Sequence, residues 1–283
     1  MTQLQTFQND EGEGVVGFLP WVTHGPEWQE EPSRWYCHLT VAGERIYQYG
    51  SPCGTCGVVF RNLSAIHDRV ADPEAVSLLG ALQEMPSAAT LARLAKVLPK
   101  GSYFPLILSG VVERVEPGSE RDLFANDVNR LFGRARAAEA EPFGPDIPYY
   151  RFTKTQSLDR TGRLSGSHQA LAMSTVMPLH SPEMLNRERV EYWKDQIRSG
   201  QVATGFAVSI LDQQAPAVDP FDLVYPFAEH FMLVNCLLDG HHRLQAASEL
   251  AVPARILTLL AVDYSLAQKL ADIEAATSPF LVK

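Results

Sequence analysis

Residues 231–250, FMLVNCLLDGHHRLQAASEL, decide how this chain is read. Phe231 to Leu238 is an apolar run about half the length of even a short membrane span, so it reads as a buried strand. Asp239 and Gly240 break the run, Gly240 permits a tight backbone turn, and a helix opens at His241 and continues through Glu249. The unpaired N–H groups and positive end of that helix would face whatever lies beyond the strand, as in an anion site. Arg243 adds a cation able to fork onto phosphate oxygens. Asp239 could hold Mg²⁺ or take a proton from a hydroxyl, and His241 or His242 could donate to an oxyanion or shuttle a proton. Each residue also has a plainer role: Asp caps helices, Gly makes turns, and His and Arg in a first turn can simply be solvated. Five such residues in a row directly after an apolar strand favour the site.

The flanking sequence extends this unit. Phe206 to Leu211 (FAVSIL) precedes it as a strand, a Pro- and Asp-rich loop runs from Asp212 to about Pro226, and a further strand follows around Ala254 to Val262. Strand, helix, strand with a polar glycine turn is an α/β unit. Upstream, Ser181-Pro182-Glu183 offers an N-cap with proline at the first position. Val190, Trp193 and Ile197 then share a face, and Gly200 marks the end of that helix. Toward the N-terminus, residues 1–33 read as an irregular or short-stranded lead-in. Trp35 to Phe60 reads as a hairpin around Ala42-Gly43-Glu44 followed by a cysteine turn. Asp72-Pro73-Glu74 and Ser87 start two short helices, and Tyr103 to Val115 is strand-like with Pro105 and Gly110 interrupting it. Ser119 could cap a helix through Leu123, Val128 and Leu131. The small, acidic, Pro-rich stretch 137–148 is a linker or a long surface loop. The expectation is an α/β (α+β) chain with a mixed α+β region at 1–147 carrying the cysteine hairpin, followed by an α/β module at 148–283.

The string DGHHRLQAA, with the apolar strand before it and VPARILTL after it, resembles the motif of the ParB-like/sulfiredoxin superfamily, whose members carry DGHHR, GERR or GCHR-type turns. The resemblance covers residues 173–262 and includes the helix MLNRERVEYWKDQIRSGQ followed by FAVSILD. It implies a ParB/sulfiredoxin-like module in which Asp239, Gly240, His241, His242 and Arg243 line a nucleotide-phosphate site. The DGHHR form is similar to that of the free-serine kinases and of uncharacterised relatives. Sulfiredoxins place a cysteine where this chain has His241, which argues against their chemistry. Chromosome-partitioning members carry paired arginines and a DNA-binding helical domain after the motif. Here a single Arg243 is followed by 40 residues, and residues 173–283 hold thirteen acids against eight bases, so DNA binding is disfavoured. The kinases also use an upstream glutamate, for which Glu183 in MPLHSPEML is the candidate; its simpler role is an acid favoured by a helix dipole.

A second constellation lies in the hairpin region. Cys53-Gly54-Thr55-Cys56-Gly57 is a C-x-x-C turn whose glycines let two thiolates approach one metal ion, and Cys37 with His38 beside it lies sixteen positions upstream. Cys37, His38, Cys53 and Cys56 are therefore candidate ligands of a structural zinc, with His24 and His67 also in range. A redox pair and unconnected free thiols are the competing readings. Cys236, inside the apolar strand, reads as a small buried hydrophobe. His168, His180 and His230 are isolated in sequence, where a histidine is more often a surface or core residue than a ligand.

Composition sets the outer bounds. With 46% hydrophobic and 20% charged residues over 283 positions, the chain can bury a sizeable core without disulfide or metal. Its net charge of −9 argues against a protein whose main partner is a phosphate backbone. Four cysteines are too few for a disulfide framework. The first twenty residues lack the basic start and apolar run of a signal peptide, so the expected location is the cytoplasm, with no membrane partner. The functional expectation is a protein that binds a nucleotide or phosphorylated small molecule and, with Mg²⁺, acts as a phosphotransferase or nucleotide hydrolase. The alternative is a non-catalytic, zinc-containing scaffold or regulatory module that binds protein or nucleic acid.

Overall fold

A computed structural model describes residues 4–21, 33–50, 59–64, 66, 70–124, 146–154, 156–161, 167–214, 229–265, 267 and 269–282. The first part of the chain forms β1 (Phe7–Asn9), β2 (Val16–Trp21), β3 (Ser33–Val41), β4 (Glu44–Gly50) and β5 (Val59–Asn62). Strands β2 to β5 pair in order as a four-stranded antiparallel sheet. The expected hairpin is β3–β4, and its turn places Ala42 (φ 51°) and Gly43 (φ 83°) in the left-handed region, as a two-residue hairpin turn requires. Two short helices follow, α1 (Pro73–Ser77) and α2 (Ala88–Ala95). The side chain of Asp72 accepts from the Glu74 N–H at 2.9 Å, and the Ser87 hydroxyl accepts from the Thr90 N–H at 3.2 Å.

The larger sheet contains β6 (Gly101–Val115), β7 (Tyr149–Phe152), β8 (Gln156–Thr161), β9 (Ser167–Pro178), β10 (Ala203–Gln214), β11 (Glu229–Asp239) and β12 (Pro253–Ala261). Six of these close into a mixed barrel in the order β6-β12-β10-β11-β9-β7, with β7 pairing back onto β6; β1 adds to β6 and β8 to β9. The barrel takes β6 from before residue 147 and its other five strands from after it. Pro105 and Gly110 do not interrupt β6. Pro105 lies opposite Leu259 of β12, along a stretch where the other edge of β6 has no ladder partner among the described strands and so tolerates a residue without an N–H. Gly110 makes room for Phe152, whose ring a Cβ there would meet at 3.0 Å.

Three further helices complete the chain: α3 (Arg187–Arg198), α4 (His241–Leu250) and α5 (Leu270–Thr277). Ser181 does not start α3, as its sequence suggested. It precedes a one-turn 3₁₀ helix, Pro182–Met184, without a side-chain cap bond; Leu185 is then extended (ψ 97°), and the Asn186 side chain caps α3 instead, accepting from the Arg189 N–H at 3.1 Å. The helix expected from Ser119 lies largely outside the described residues. Successive residues of the barrel strands alternate between two buried clusters. Val208, Ile210, Met232 and Val234 join the cluster shared with the four-stranded sheet, α1 and α2. Ala207, Leu211, Leu233 and Leu237 join the cluster shared with α4 and α5. Burial on both faces is why β11 reads as an unbroken apolar run rather than an alternation. β11 and β12 are not neighbours: β10 lies between them, antiparallel to β11 and parallel to β12. Among the described residues no helix is long and apolar enough to cross a membrane.

Candidate functional site

β11 ends at Asp239, and Gly240 (φ 101°, ψ 12°) turns the chain into α4, whose start no side chain caps. A Cβ at position 240 would lie 2.7 Å from the Thr204 carbonyl oxygen and 2.8 Å from the Gly205 Cα, so glycine is what lets the turn sit this close to β10. The N–H of Leu244 donates to the Gly240 carbonyl at 2.8 Å as the first full turn closes. The amides of His241, His242 and Arg243 precede that bond and have no carbonyl within the helix to reach.

Arg243 is held from three sides. Its Nη1 donates to Thr204 Oγ1 at 3.0 Å, its Nη2 donates to Asp239 Oδ1 at 2.5 Å, and the guanidinium lies over the Trp193 ring, 5.3 Å from its centroid. The Asp239 and Arg243 side chains are each 16% exposed, partly desolvated yet open to a ligand. The His241 ring is buried and stacks on His180 with centroids 4.2 Å apart and planes 7° from parallel. Its Nε2 accepts from the His180 backbone N–H at 3.4 Å. Burial first, then His180, His242 and Arg243, hold its pKa well below the usual imidazole range. His241 is therefore a neutral ring, and with Nε2 accepting, Nδ1 is the nitrogen that carries the proton. His242 Nε2 accepts from the Asn186 N–H at 3.1 Å, which ties the start of α4 to the cap of α3.

The other end of α4 is clamped to α3 through Glu249. Arg187 donates to both of its oxygens, at 2.5 and 2.8 Å, and Lys194 to Oε2 at 3.0 Å. These cations, Arg187 foremost, hold the Glu249 carboxyl down to about 2. Gln245 Nε2 also donates to Glu249, and the Tyr150 hydroxyl donates to Gln245 Oε1, linking the clamp to the barrel.

Between α3, the α4 turn and the α1 region lies a cleft of about 720 Å³, within the range that takes a small organic ligand. Asp239, Gly240, His241, His242 and Arg243 all line it, so the five residues read as one site do share one cavity. His180, Arg189, Trp193 and Thr204 line it too and were not assigned there from sequence. His180 is isolated in sequence and Trp193 has the spacing of a core position of α3; the parallel pairing of β9 with β11 brings the first to the turn, and the packing of α3 beside α4 brings the second. Among the described residues two guanidinium groups and a single carboxylate, Asp239, line the cleft, so this lining favours an anion.

Glu183 lies in the one-turn helix before α3, is exposed, and approaches the Ser181 hydroxyl at 3.5 Å; it is not among the cleft residues. Cys37 and His38 are successive residues of β3, so their side chains point to opposite faces of the sheet, and an ion held by one does not reach the other. Both are buried; burial pushes the Cys37 thiol up and the His38 imidazole down, Arg45 adding to the latter. Cys53, Cys56, His24 and His67 lie outside the described residues, and no group of three or more His, Cys, Asp or Glu able to hold a metal occurs among the described ones. Cys236 is buried in the core, its thiol pushed up to about 12 by desolvation. The chain matches no protein-family model, no curated protein and no solved structure.

Proposed function

We propose that this protein binds a nucleotide or another phosphorylated small molecule in the cleft, with a phosphate group against the first turn of α4, and that residues 173–262 form a ParB/sulfiredoxin-like module. The observation that carries this reading is the uncapped α4 N-terminus beside Arg243, a cation fixed by Thr204, Asp239 and Trp193 in a cleft large enough for the rest of a ligand. The amides of His241 to Arg243 bind phosphate oxygens, and the helix dipole adds to the attraction. Arg243 has five N–H donors and spends two on Thr204 and Asp239, so donors remain for the ligand. His241, neutral, contributes no charge of its own.

Phosphoryl transfer to a hydroxyl or to water is the activity this binding mode supports. Mg²⁺ commonly takes one or two carboxylates together with the ligand's phosphates, and Asp239 offers one; when bound, the ion would neutralise charge on the transferring group. Asp239 Oδ1 is engaged by Arg243, and its other oxygen would hold the ion or receive the acceptor's proton. The second reading, binding without catalysis, is favoured by one observation: Asp239 is the single carboxylate lining the cleft among the described residues, and it is already paired with Arg243. In that version the site is a ligand sensor within a scaffold.

Thermal unfolding with and without ATP, Mg²⁺ or pyrophosphate tests the binding claim. The wild type is expected to gain several degrees at saturating ligand, and Arg243→Ala to lose that gain while folding normally. No gain in the wild type with any of these ligands counts against the proposal. Product formation from ATP in the wild type, absent in Asp239→Asn, separates the enzyme from the sensor.

A further inference from the structure

The cleft extends well beyond the α4 turn, and part of its lining comes from outside the 173–262 module. Val76, Ser77, Gly80, Ala81 and Gln83, from α1 and the turn after it, face the same cavity as Arg243. This segment is braced rather than loose. Asp72 caps α1 and pairs with Arg93 at 2.8 Å, and Arg255 of β12 reaches from the barrel to donate to the Ala81 carbonyl at 2.8 Å. Leu82, buried, is held at φ 47°, a left-handed conformation that an L-residue with a γ-branched side chain adopts only when its surroundings impose it. The packing thus fixes a strained turn at the edge of the cleft, with Gln83 next to it.

The chemistry of this part of the lining differs from that of the turn. It carries no charge, and its polar groups are neutral donors and acceptors. The Ser77 hydroxyl gives its proton to the Glu74 carbonyl at 2.6 Å and so offers lone pairs to a ligand. The Gln83 amide, exposed, makes no hydrogen bond within the described residues and offers both a donor and an acceptor. Val76 supplies an apolar contact beside them. A phosphate fills only the α4 end of about 720 Å³, and uncharged amide and hydroxyl groups suit the neutral, polar remainder of a ligand rather than a second anion or an alkyl chain.

We infer that Ser77 and Gln83 are the specificity-determining residues of the cleft, hydrogen-bonding to the uncharged portion of a ligand whose phosphate is held at α4. The inference rests on the phosphate-binding reading above and adds that selectivity comes from the N-terminal region. One good hydrogen bond lost from each residue lowers affinity by about tenfold or less, without touching the phosphate.

Calorimetric titration of pyrophosphate, ATP, GTP, CTP and UTP into the full chain tests it, using the wild type, Ser77→Ala/Gln83→Ala and Arg243→Ala. The expected result is that the wild type prefers one nucleotide over the others by about tenfold or more. The double variant reduces that preference to about threefold or less and leaves pyrophosphate affinity unchanged, whereas Arg243→Ala weakens every ligand. Both substituted positions are exposed, and an unchanged melting temperature without ligand shows that the variant is folded. Equal binding of all four nucleotides by the wild type, or an undiminished preference in the double variant, overturns the inference and leaves phosphate binding standing. No binding of pyrophosphate or any nucleotide by the wild type removes the phosphate-binding reading itself, and the inference with it.

Discussion

Gly240→Ala isolates the feature on which the site depends, the close passage of the turn over β10. Two costs add. At φ 101° an L-residue is strained by about 1–2 kcal/mol. The new Cβ would also stand 2.7 Å from the Thr204 carbonyl oxygen and 2.8 Å from the Gly205 Cα, both backbone atoms that cannot rotate aside. At Thr204 and Gly205 β10 is held by its parallel ladder to β12, so relief comes mainly from moving the turn, at about 1–3 kcal/mol for an overpacked site. The sum, about 2–5 kcal/mol, leaves most proteins folded. Gly43→Ala is the matched control, because Gly43 is also left-handed (φ 83°) but a Cβ there has nothing within 4 Å among the described residues, so it reports strain without collision. Urea unfolding followed by tryptophan fluorescence should show Gly240→Ala losing at least 1 kcal/mol more than Gly43→Ala. Only the former should lose pyrophosphate-dependent stabilisation, since its first-turn amides are displaced. Equal losses for the two variants would refute the close-approach argument.

Acid should act first on buried imidazoles, His241 and His38, and then on paired carboxylates, Glu249 foremost. His241 has a folded pKa below its unfolded value of about 6.5, so the folded state binds fewer protons and stability falls as pH drops below about 6.5; His241→Gln should shrink that limb in pH-dependent urea midpoints, leaving the part due to His38. Glu249 titrates near 2 when folded against about 4.5 when unfolded, so its contribution is complete above about 4.5 and is lost as pH falls toward 2. Glu249→Gln should cost about 1 kcal/mol at pH 7, reduced from the full shift because Arg187 is 60% exposed, and should shrink that lower limb. The zinc expectation is tested by metal analysis of purified protein: it requires one equivalent that Cys53→Ser removes, with Cys37→Ser and His38→Ala not both lowering it, since the two face opposite sides of β3, and a metal-free, fully stable protein ends it.

The turn itself was legible because its signals are local. An apolar run, Gly240 and the polar triplet after it need no knowledge of the rest of the chain, and the helix caps at Asp72 and Ser87 are legible for the same reason. What the sequence hides is non-local. His180 lies 61 positions before His241, yet their rings stack; Trp193 has the spacing of a core position but spends its face on Arg243. Ser181-Pro182-Glu183 carries a valid start signal, and the chain uses it for a single 3₁₀ turn because Asn186 offers a second cap where α3 meets α4. Barrel closure through β6 and β7 is likewise invisible in a strand pattern, since pairing depends on which edges meet.

The most direct measurement is a titration of ¹⁵N-labelled protein with pyrophosphate, following backbone amide resonances. Binding at the α4 N-terminus should shift His241, His242 and Arg243 saturably and together, with the Arg243 side-chain Nε–H following, and Arg243→Ala should weaken the response. Saturable shifts elsewhere that leave these three amides unmoved, or no saturable shift at millimolar ligand, would contradict a phosphate site at this turn.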